Sequence, residues 1–222
     1  MRWVISLVVA LAAGVGVLFG LTSGFTALTA ETARRQDIQV HPREIPSARV
    51  LTDSGQQQSL RQLLHDDGRV AIVNFFYARC ISLCLAQGSL TERLQNAIKA
   101  EGLQDKLRLI SLSFDPRDDA QDLARYSVRM GADPKVWQFY TLEDPDQRKA
   151  ILDLFGIVVV PAPLGEFEHN AAFHVVTPGG QLVRVVDLDD PGWALKAARS
   201  ALAAVPGPIA PAASSPGAGG QP

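Results

Sequence analysis

Residues 70–84 read VAIVNFFYARCISLC, and this stretch decides the fold. Its first part, Val70 to Tyr77, is a short and almost wholly apolar run, as expected of a central strand that is buried on both faces of a sheet. The two cysteines of the chain, Cys80 and Cys84, follow at the point where the next helix is predicted to begin. The sequence therefore places both sulfur atoms at one strand-to-helix junction.

Strands and helices alternate after this junction. Apolar residues at helical spacing predict a helix from Ser89 to Ala100, and alternation predicts a strand from Leu107 to Phe114. Further helices are predicted at 118–130, 147–155 and 193–204, and further strands at 136–142, 173–176 and 182–186. The turn T-P-G-G joins the last two strands into a hairpin, and an opening hairpin is predicted around residues 52–55. This order predicts an α/β sandwich with a mixed central sheet.

The N-terminus indicates export. Residues 3–21 contain one clearly polar side chain, Ser6, and they match the ~20 apolar residues that cross a hydrocarbon core of ~30 Å. We predict an N-terminal transmembrane helix. The alternative is a cleaved secretory signal, whose apolar region usually runs ~7–15 residues. Both are export devices, so the domain is expected outside the cytoplasm.

Composition divides the chain into four parts. Residues 1–30 are the transmembrane anchor or signal segment, and residues 31–48 are a polar tether that contains prolines. Residues 49–205 are the folded domain. Residues 206–222 consist mainly of Pro, Gly, Ala and Ser, and are predicted to be disordered.

Charge and residue usage narrow the class of protein. The net charge of −2 and the absence of any basic run argue against binding to nucleic acid. An excess of Arg over Lys and the abundance of Ala are typical of a GC-rich bacterial genome. Together with the N-terminal export segment, a bacterial origin predicts a single-pass inner-membrane protein whose domain faces the periplasm.

The CxxxC spacing suits either a metal ion or a disulfide. Backbone N–H groups at a helix start stabilise a thiolate. Residues i and i+4 lie ~5–6 Å apart at Cβ, so both sulfur atoms can reach one ion or each other. Two inert buried cysteines, or a structural disulfide, are the alternatives. Two soft thiolates favour Cu(I) or zinc, and an imidazole would complete a trigonal copper site.

Four histidines are available as the third ligand. His41 lies in the tether and His65 in a polar stretch, so both are predicted to be solvated. His174 falls inside an apolar strand and is predicted to be packed and hydrogen-bonded. His169 lies in the loop before that strand, where functional groups concentrate. We favour His169, and His174 remains the alternative.

These motifs resemble the Sco/SenC family of copper-binding proteins involved in cytochrome c oxidase assembly, over most of residues 45–200. In that family an apolar, aromatic strand leads into CxxxC, as residues 74–84 do here. A D-P-x-R-D-like segment follows the next strand, matched by residues 113–118 (SFDPRD). A helix containing Tyr126 and a W-x-x-x-T-L-like strand at 137–142 continue the likeness.

The resemblance also separates the two late histidines. The ligand histidine of the family stands nine residues before the proline that opens the hairpin turn. His169 stands nine residues before Pro178, whereas His174 stands only four before it. By resemblance, therefore, Cys80, Cys84 and His169 bind one copper ion per chain, as Cu(I) or Cu(II), on a thioredoxin-like fold.

The function implied by the resemblance is that of a copper chaperone, a binding protein and not a turnover enzyme. Its client would be the dinuclear copper centre of cytochrome c oxidase subunit two, or a related cuproenzyme. The family usually reads C-P-x-x-C-P, whereas this chain has Ile81 and Leu85 in place of both prolines. Proline would fix the local backbone, so the departure leaves the client and the redox potential open.

Two other functions compete with the chaperone. A membrane-anchored thiol–disulfide oxidoreductase could act on the cysteines of a copper-protein client, since Cys80 and Cys84 can form a disulfide. The redox motif of that class, however, is CxxC. A peroxidase-like thioredoxin relative needs one reactive cysteine with a supporting Thr or Arg. Arg79 stands beside Cys80, but the paired cysteines and His169 fit that chemistry less well.

Overall fold

The computed structural model of the protein describes residues 2–21, 29–80 and 83–204. The helices are α1 (Arg2–Leu21), α2 (Ala30–Val40), α3 (Leu60–Asp67), α4 (Leu83–Ala100), α5 (Ala120–Arg129), α6 (Pro145–Phe155) and α7 (Pro191–Ala204). The strands are β1 (Arg43–Glu44), β2 (Arg49–Thr52), β3 (Gln57–Ser59), β4 (Val70–Phe76), β5 (Leu107–Ser113), β6 (Trp137–Leu142), β7 (Val159–Pro161), β8 (Phe167–His169), β9 (Ala172–Val176) and β10 (Gln181–Asp187).

Eight strands form one mixed sheet in the order β1-β10-β9-β4-β5-β6-β2-β3. The central strands β4, β5 and β6 are parallel, and the outer strands pair antiparallel. Every residue of β4 and β5 is buried, as the apolar run in β4 predicted. Because parallel strands end at the same edge of a sheet, the segments that follow Phe76 and Ser113 lie side by side. This confirms the predicted α/β sandwich and its mixed sheet.

The predicted elements of residues 49–204 are present, with shifted ends. The opening hairpin is β2–β3, and the late hairpin is β9–β10. Helix α4 begins at Leu83, earlier than the predicted Ser89, so it includes Cys84. Helix α3 and the small sheet β7–β8 were not predicted. The tail predicted at 206–222 lies outside the described residues.

The apolar N-terminal stretch forms helix α1. Within residues 2–21, 29–80 and 83–204, no helix is both long enough and apolar enough to cross a membrane. The predicted anchor is therefore not confirmed. Residues 22–28, which complete the predicted segment, lie outside the described part of the chain.

Residues 31–48 differ from the predicted tether because they pack on the domain. They contain α2 and β1, and β1 pairs with β10. Ile38 and Ile45 are fully buried. The Arg35 guanidinium donates to the Asp187 carboxylate of β10 at 2.6 Å. Two buried isoleucines and an ion pair therefore attach a segment whose average composition is polar.

Replacing Ile38 tests this attachment. In Ile38→Ala the free energy of unfolding should fall by about 2–5 kcal/mol, because a fully buried side chain leaves a cavity. In the matched control Val40→Ala, on the same helix but 72% exposed, it should change by no more than about 0.5 kcal/mol. Urea titration of the full-length chain measures both. Equal stability of the two variants would mean that α2 does not pack on the domain.

Candidate metal centre

Cys80 lies in the turn that follows β4 and is 5% exposed. Its N–H donates to the carbonyl of Tyr77 at 3.3 Å. Both backbone groups of Ala78 are held from outside the turn. The Ala78 N–H donates to Asp118 Oδ2 at 2.7 Å, and the Ala78 carbonyl accepts from Arg129 Nη2 at 2.9 Å. The backbone that leads to Cys80 is therefore fixed on both sides.

Asp118 joins this turn to the end of β5. Its Oδ2 accepts a second hydrogen bond from the Ser113 hydroxyl at 2.6 Å. Its Oδ1 is buried and has no hydrogen-bond partner in the described part of the chain. Burial raises the pKa of Asp118, because a carboxylate loses its hydration there. One oxygen atom therefore holds the ends of two neighbouring parallel strands together.

Arg117 joins the same segment to the chain that carries His169. Its guanidinium makes a bidentate pair with the fully buried Asp115, through Nε at 2.8 Å and Nη2 at 2.7 Å. Nη2 also donates to the Gly165 carbonyl at 2.7 Å. The guanidinium lies over the ring of Phe167, 5.3 Å from its centroid. The D-P-R-D segment thus contacts both the cysteine turn and the β7–β8 hairpin.

His169 is the last residue of β8 and not, as predicted, a loop residue. Strand β8 pairs antiparallel with β7, with His169 opposite Val159. The imidazole packs against the ring of Phe114, with centroids 4.9 Å apart, and lies 6.2 Å from the ring of Tyr77. A strand pairing and two aromatic contacts therefore fix this side chain.

The two ring nitrogens of His169 have different environments. Nδ1 lies 3.0 Å from the carbonyl oxygen of Asn170, and a carbonyl can only accept, so Nδ1 carries the proton. Nε2 is buried and has no hydrogen-bond partner among the residues described. Burial also lowers the pKa of His169, which favours the neutral ring. The remaining lone pair on Nε2 suits a metal ion, and the Asn170 carbonyl fixes the required tautomer.

Tyr77 brings Cys80 and His169 to one place. Its carbonyl accepts from the Cys80 N–H at 3.3 Å, and its ring contacts His169. Two of the three predicted ligands are therefore neighbours of a single residue, although they are far apart in sequence.

Cys84 lies in the first turn of α4, because that helix begins at Leu83 and not at the predicted Ser89, whereas Cys80 precedes the helix. The structure describes neither its side chain nor residues 81 and 82. Among the side chains that are described, no three His, Cys, Asp or Glu residues are grouped so as to hold a metal ion. The complete ligand set of Cys80, Cys84 and His169 therefore stays a prediction.

The other histidines lie where the sequence placed them. His174 is fully buried in β9, with Nδ1 3.3 Å from the Val73 carbonyl and Nε2 3.2 Å from the Phe155 carbonyl. The side chains of His41 and His65 are 76% and 79% exposed. The sequence did not indicate that Tyr77 is a neighbour of the site. It showed the D-P-R-D segment as a motif, but not the contacts that this segment makes.

Comparison with known proteins identifies the family. The model of the SCO1/SenC family matches residues 49–202. This chain belongs to the SCO1/SenC family. A SCO1 protein homolog of Bacillus subtilis (strain 168) is 25% identical over 172 residues, which cover 76% of this chain and 86% of that protein.

Solved structures of Sco proteins share the fold of this SCO1/SenC chain. BsSco, described as a member of the Sco family of cytochrome c oxidase assembly proteins with a disulfide switch, matches with a TM-score of 0.62 and 22% identity. The match covers 73% of this chain and 95% of BsSco. Arabidopsis thaliana ScoI with copper bound matches with a TM-score of 0.60 and 18% identity, covering 71% of this chain and 99% of that one. The predicted thioredoxin-like fold is thereby confirmed.

His174 should make stability depend on pH. Burial lowers the pKa of His174 from 6.5 to about 4, because a charged ring would lose its hydration. Between pH 4 and pH 6.5 the unfolded chain then binds more protons at this histidine than the folded chain does. The free energy of unfolding should therefore fall by roughly 3 kcal/mol as pH drops from 6.5 to 4.

Urea titrations across this pH range measure the effect. His174→Gln should lose most of this pH dependence, whereas the control His41→Gln, at an exposed position, should keep it. An unchanged slope in His174→Gln would assign the dependence to other groups.

Proposed function

We propose that this SCO1/SenC protein is an extracytoplasmic copper chaperone that binds one copper ion per chain through Cys80, Cys84 and His169. The observation that carries the proposal is the His169 ring. Its Nδ1 donates to the Asn170 carbonyl, and its buried Nε2 is left without a partner in the described residues. A buried nitrogen lone pair normally finds a donor or a metal ion.

The chemistry of the donor set favours copper. Two thiolates and one neutral imidazole supply soft ligands and suit a three-coordinate Cu(I) ion. Three protein ligands leave one side of the ion open to a ligand from another protein, which delivery of the ion requires. Arabidopsis ScoI has been solved with copper bound, which supports copper as the ion proposed for this chain.

The surroundings of His169 also suit such a site. The rings of Phe114 and Tyr77 pack against the imidazole. The ring of Phe167 in turn packs against those of Phe114 and Tyr77. Aromatic walls limit the access of water and keep the ring neutral. The missing prolines at Ile81 and Leu85 do not remove a donor atom.

We propose the dinuclear copper centre of cytochrome c oxidase subunit two, or that of a related cuproenzyme, as the client. The description of the Sco family as cytochrome c oxidase assembly proteins supports this choice. The apolar residues 3–21 are proposed to anchor the chain in the inner membrane of a bacterium, with the domain in the periplasm.

Copper binding should separate His169 from His174. The wild-type chain should hold one equivalent of copper after reduction and loading. His169→Ala should weaken copper binding at least about 100-fold, because loss of a ligand should exceed the 10–100-fold cost of losing the hydrogen-bond partner of a ligand. The Cu(II) form of this variant should also lose nitrogen coupling in its electron paramagnetic resonance spectrum. Competition with a chelator of known affinity measures the change.

His174→Ala is the matched control. It should lower the free energy of unfolding by about 1–3 kcal/mol and leave copper affinity unchanged. If a folded His174→Ala variant lost copper while His169→Ala retained it, the site would have to be rebuilt around His174. If the wild-type chain retained clearly less than one equivalent of copper, the result would contradict the proposal that it is a copper chaperone.

Oxidation should abolish copper binding. A disulfide between Cys80 and Cys84 removes both thiolates, so the oxidised chain should bind no copper, and bound copper should protect both cysteines from alkylation. Mass spectrometry after alkylation measures this protection. Full copper binding by the oxidised chain would place the ligands elsewhere. Catalytic reduction of insulin would favour the thiol–disulfide oxidoreductase instead.

A further inference from the structure

The Tyr77 hydroxyl lies between the two chain segments that carry Cys80 and His169. It donates to Glu166 Oε2 at 2.6 Å, and it accepts from the Phe167 N–H at 3.4 Å. An ionised carboxylate can only accept, so the hydroxyl is the donor of its pair with Glu166.

The tyrosine ring is buried among the same residues. It is 3% exposed, and its centroid lies 5.5 Å from that of Phe114 and 5.3 Å from that of Phe167. Phenylalanine would preserve these ring contacts. It would remove the hydroxyl, and with it the hydrogen bond to Glu166.

The hydroxyl joins segments that the backbone does not join directly. Tyr77 precedes Cys80 in the turn after β4, whereas Glu166 lies 89 residues later, immediately before the strand that ends in His169. Arg117 makes the second link to this hairpin, through Gly165. Two side chains, Tyr77 and Arg117, therefore make polar contacts that fix the β7–β8 hairpin relative to the cysteine turn, and Tyr77 belongs to that turn.

We propose that Tyr77 is a positioning residue of the copper site, whose hydroxyl holds the β7–β8 hairpin, and with it His169, in place relative to Cys80. This inference rests on the proposed function. Residues that orient a metal ligand typically contribute 10–100-fold in metal affinity. A ligand histidine must also stay within ~0.5 Å of its productive position.

Tyr77→Phe tests the proposal against the matched control Tyr140→Phe. Tyr140 is also buried, at 6% exposed, and lies on β6, where it pairs with β2. Tyr77→Phe should weaken copper binding about 10–100-fold and change the nitrogen coupling of the Cu(II) form. Tyr140→Phe should change neither quantity. In the copper-free protein, Tyr77→Phe should also speed hydrogen exchange at the amides of residues 167–169, and Tyr140→Phe should not.

The partner of the hydroxyl provides a second test. Glu166→Gln keeps an oxygen that accepts from Tyr77 and should bind copper nearly as the wild type does. Glu166→Leu removes that acceptor and should resemble Tyr77→Phe. In the His169→Ala background, adding Tyr77→Phe should cost no further copper affinity, because the residue that Tyr77 positions is already absent.

Three results would overturn the positioning role. The first is wild-type copper affinity and wild-type hydrogen exchange in Tyr77→Phe. The second is equal loss of copper in Tyr77→Phe and Tyr140→Phe, which would indicate a general effect on stability. The third is a full loss of affinity on adding Tyr77→Phe to His169→Ala, which would place the effect at the sulfur of Cys80.

These results are distinguishable from a failure of the proposed function. If the wild-type chain bound no copper, the chaperone proposal would fail. Hydrogen exchange in the copper-free chain would still decide whether Tyr77 holds the hairpin.

Discussion

The Asp118 carboxylate is the contact on which the candidate site depends. One oxygen accepts from the Ser113 hydroxyl and from the Ala78 N–H, so the end of β5 fixes the turn that leads to Cys80. A buried carboxylate is costly unless it is hydrogen-bonded, and the two donors to Oδ2 come from the end of β5 and from the turn that follows β4. Removing the carboxylate would leave the Ala78 N–H unsatisfied and would release the turn from the sheet.

The neighbouring Asp115 fixes the other chain segment of the site, the β7–β8 hairpin, through Arg117. It is fully buried and holds Arg117, which reaches the Gly165 carbonyl in the β7–β8 hairpin. The two carboxylates of one short segment therefore fix the two chain segments that are proposed to share a copper ion. Tyr77 connects the cysteine turn directly to the β7–β8 hairpin through its hydrogen bond to Glu166. The resulting frame is polar, and the rings of Phe114 and Phe167 pack against Tyr77 within it.

The apolar run of β4 predicted a central strand and the alternation in β5 predicted its neighbour, and every residue of both strands is buried. The same reasoning failed for α2, in which the single buried residue Ile38 and the ion pair of Arg35 leave no apolar stripe to detect. It also failed for β8, a strand of three residues that contains Glu168 and His169. Spacing to Pro178 still selected His169. The contact between Tyr77 and Glu166 has no sequence signal, because it joins residues whose proximity only the fold creates.

The attachment of α2 to the domain limits how far the domain can move from α1. If residues 31–48 were a free tether, the domain could explore a wide volume. With α2 held by Ile38 and by the Arg35–Asp187 pair, the only chain between α1 and the packed domain is the segment from Leu21 to Thr29. Eight residue-to-residue steps span at most about 28 Å when fully extended. Any surface that holds α1 would therefore keep the domain within that distance, and a receiving protein on the same surface would meet it at a high effective concentration.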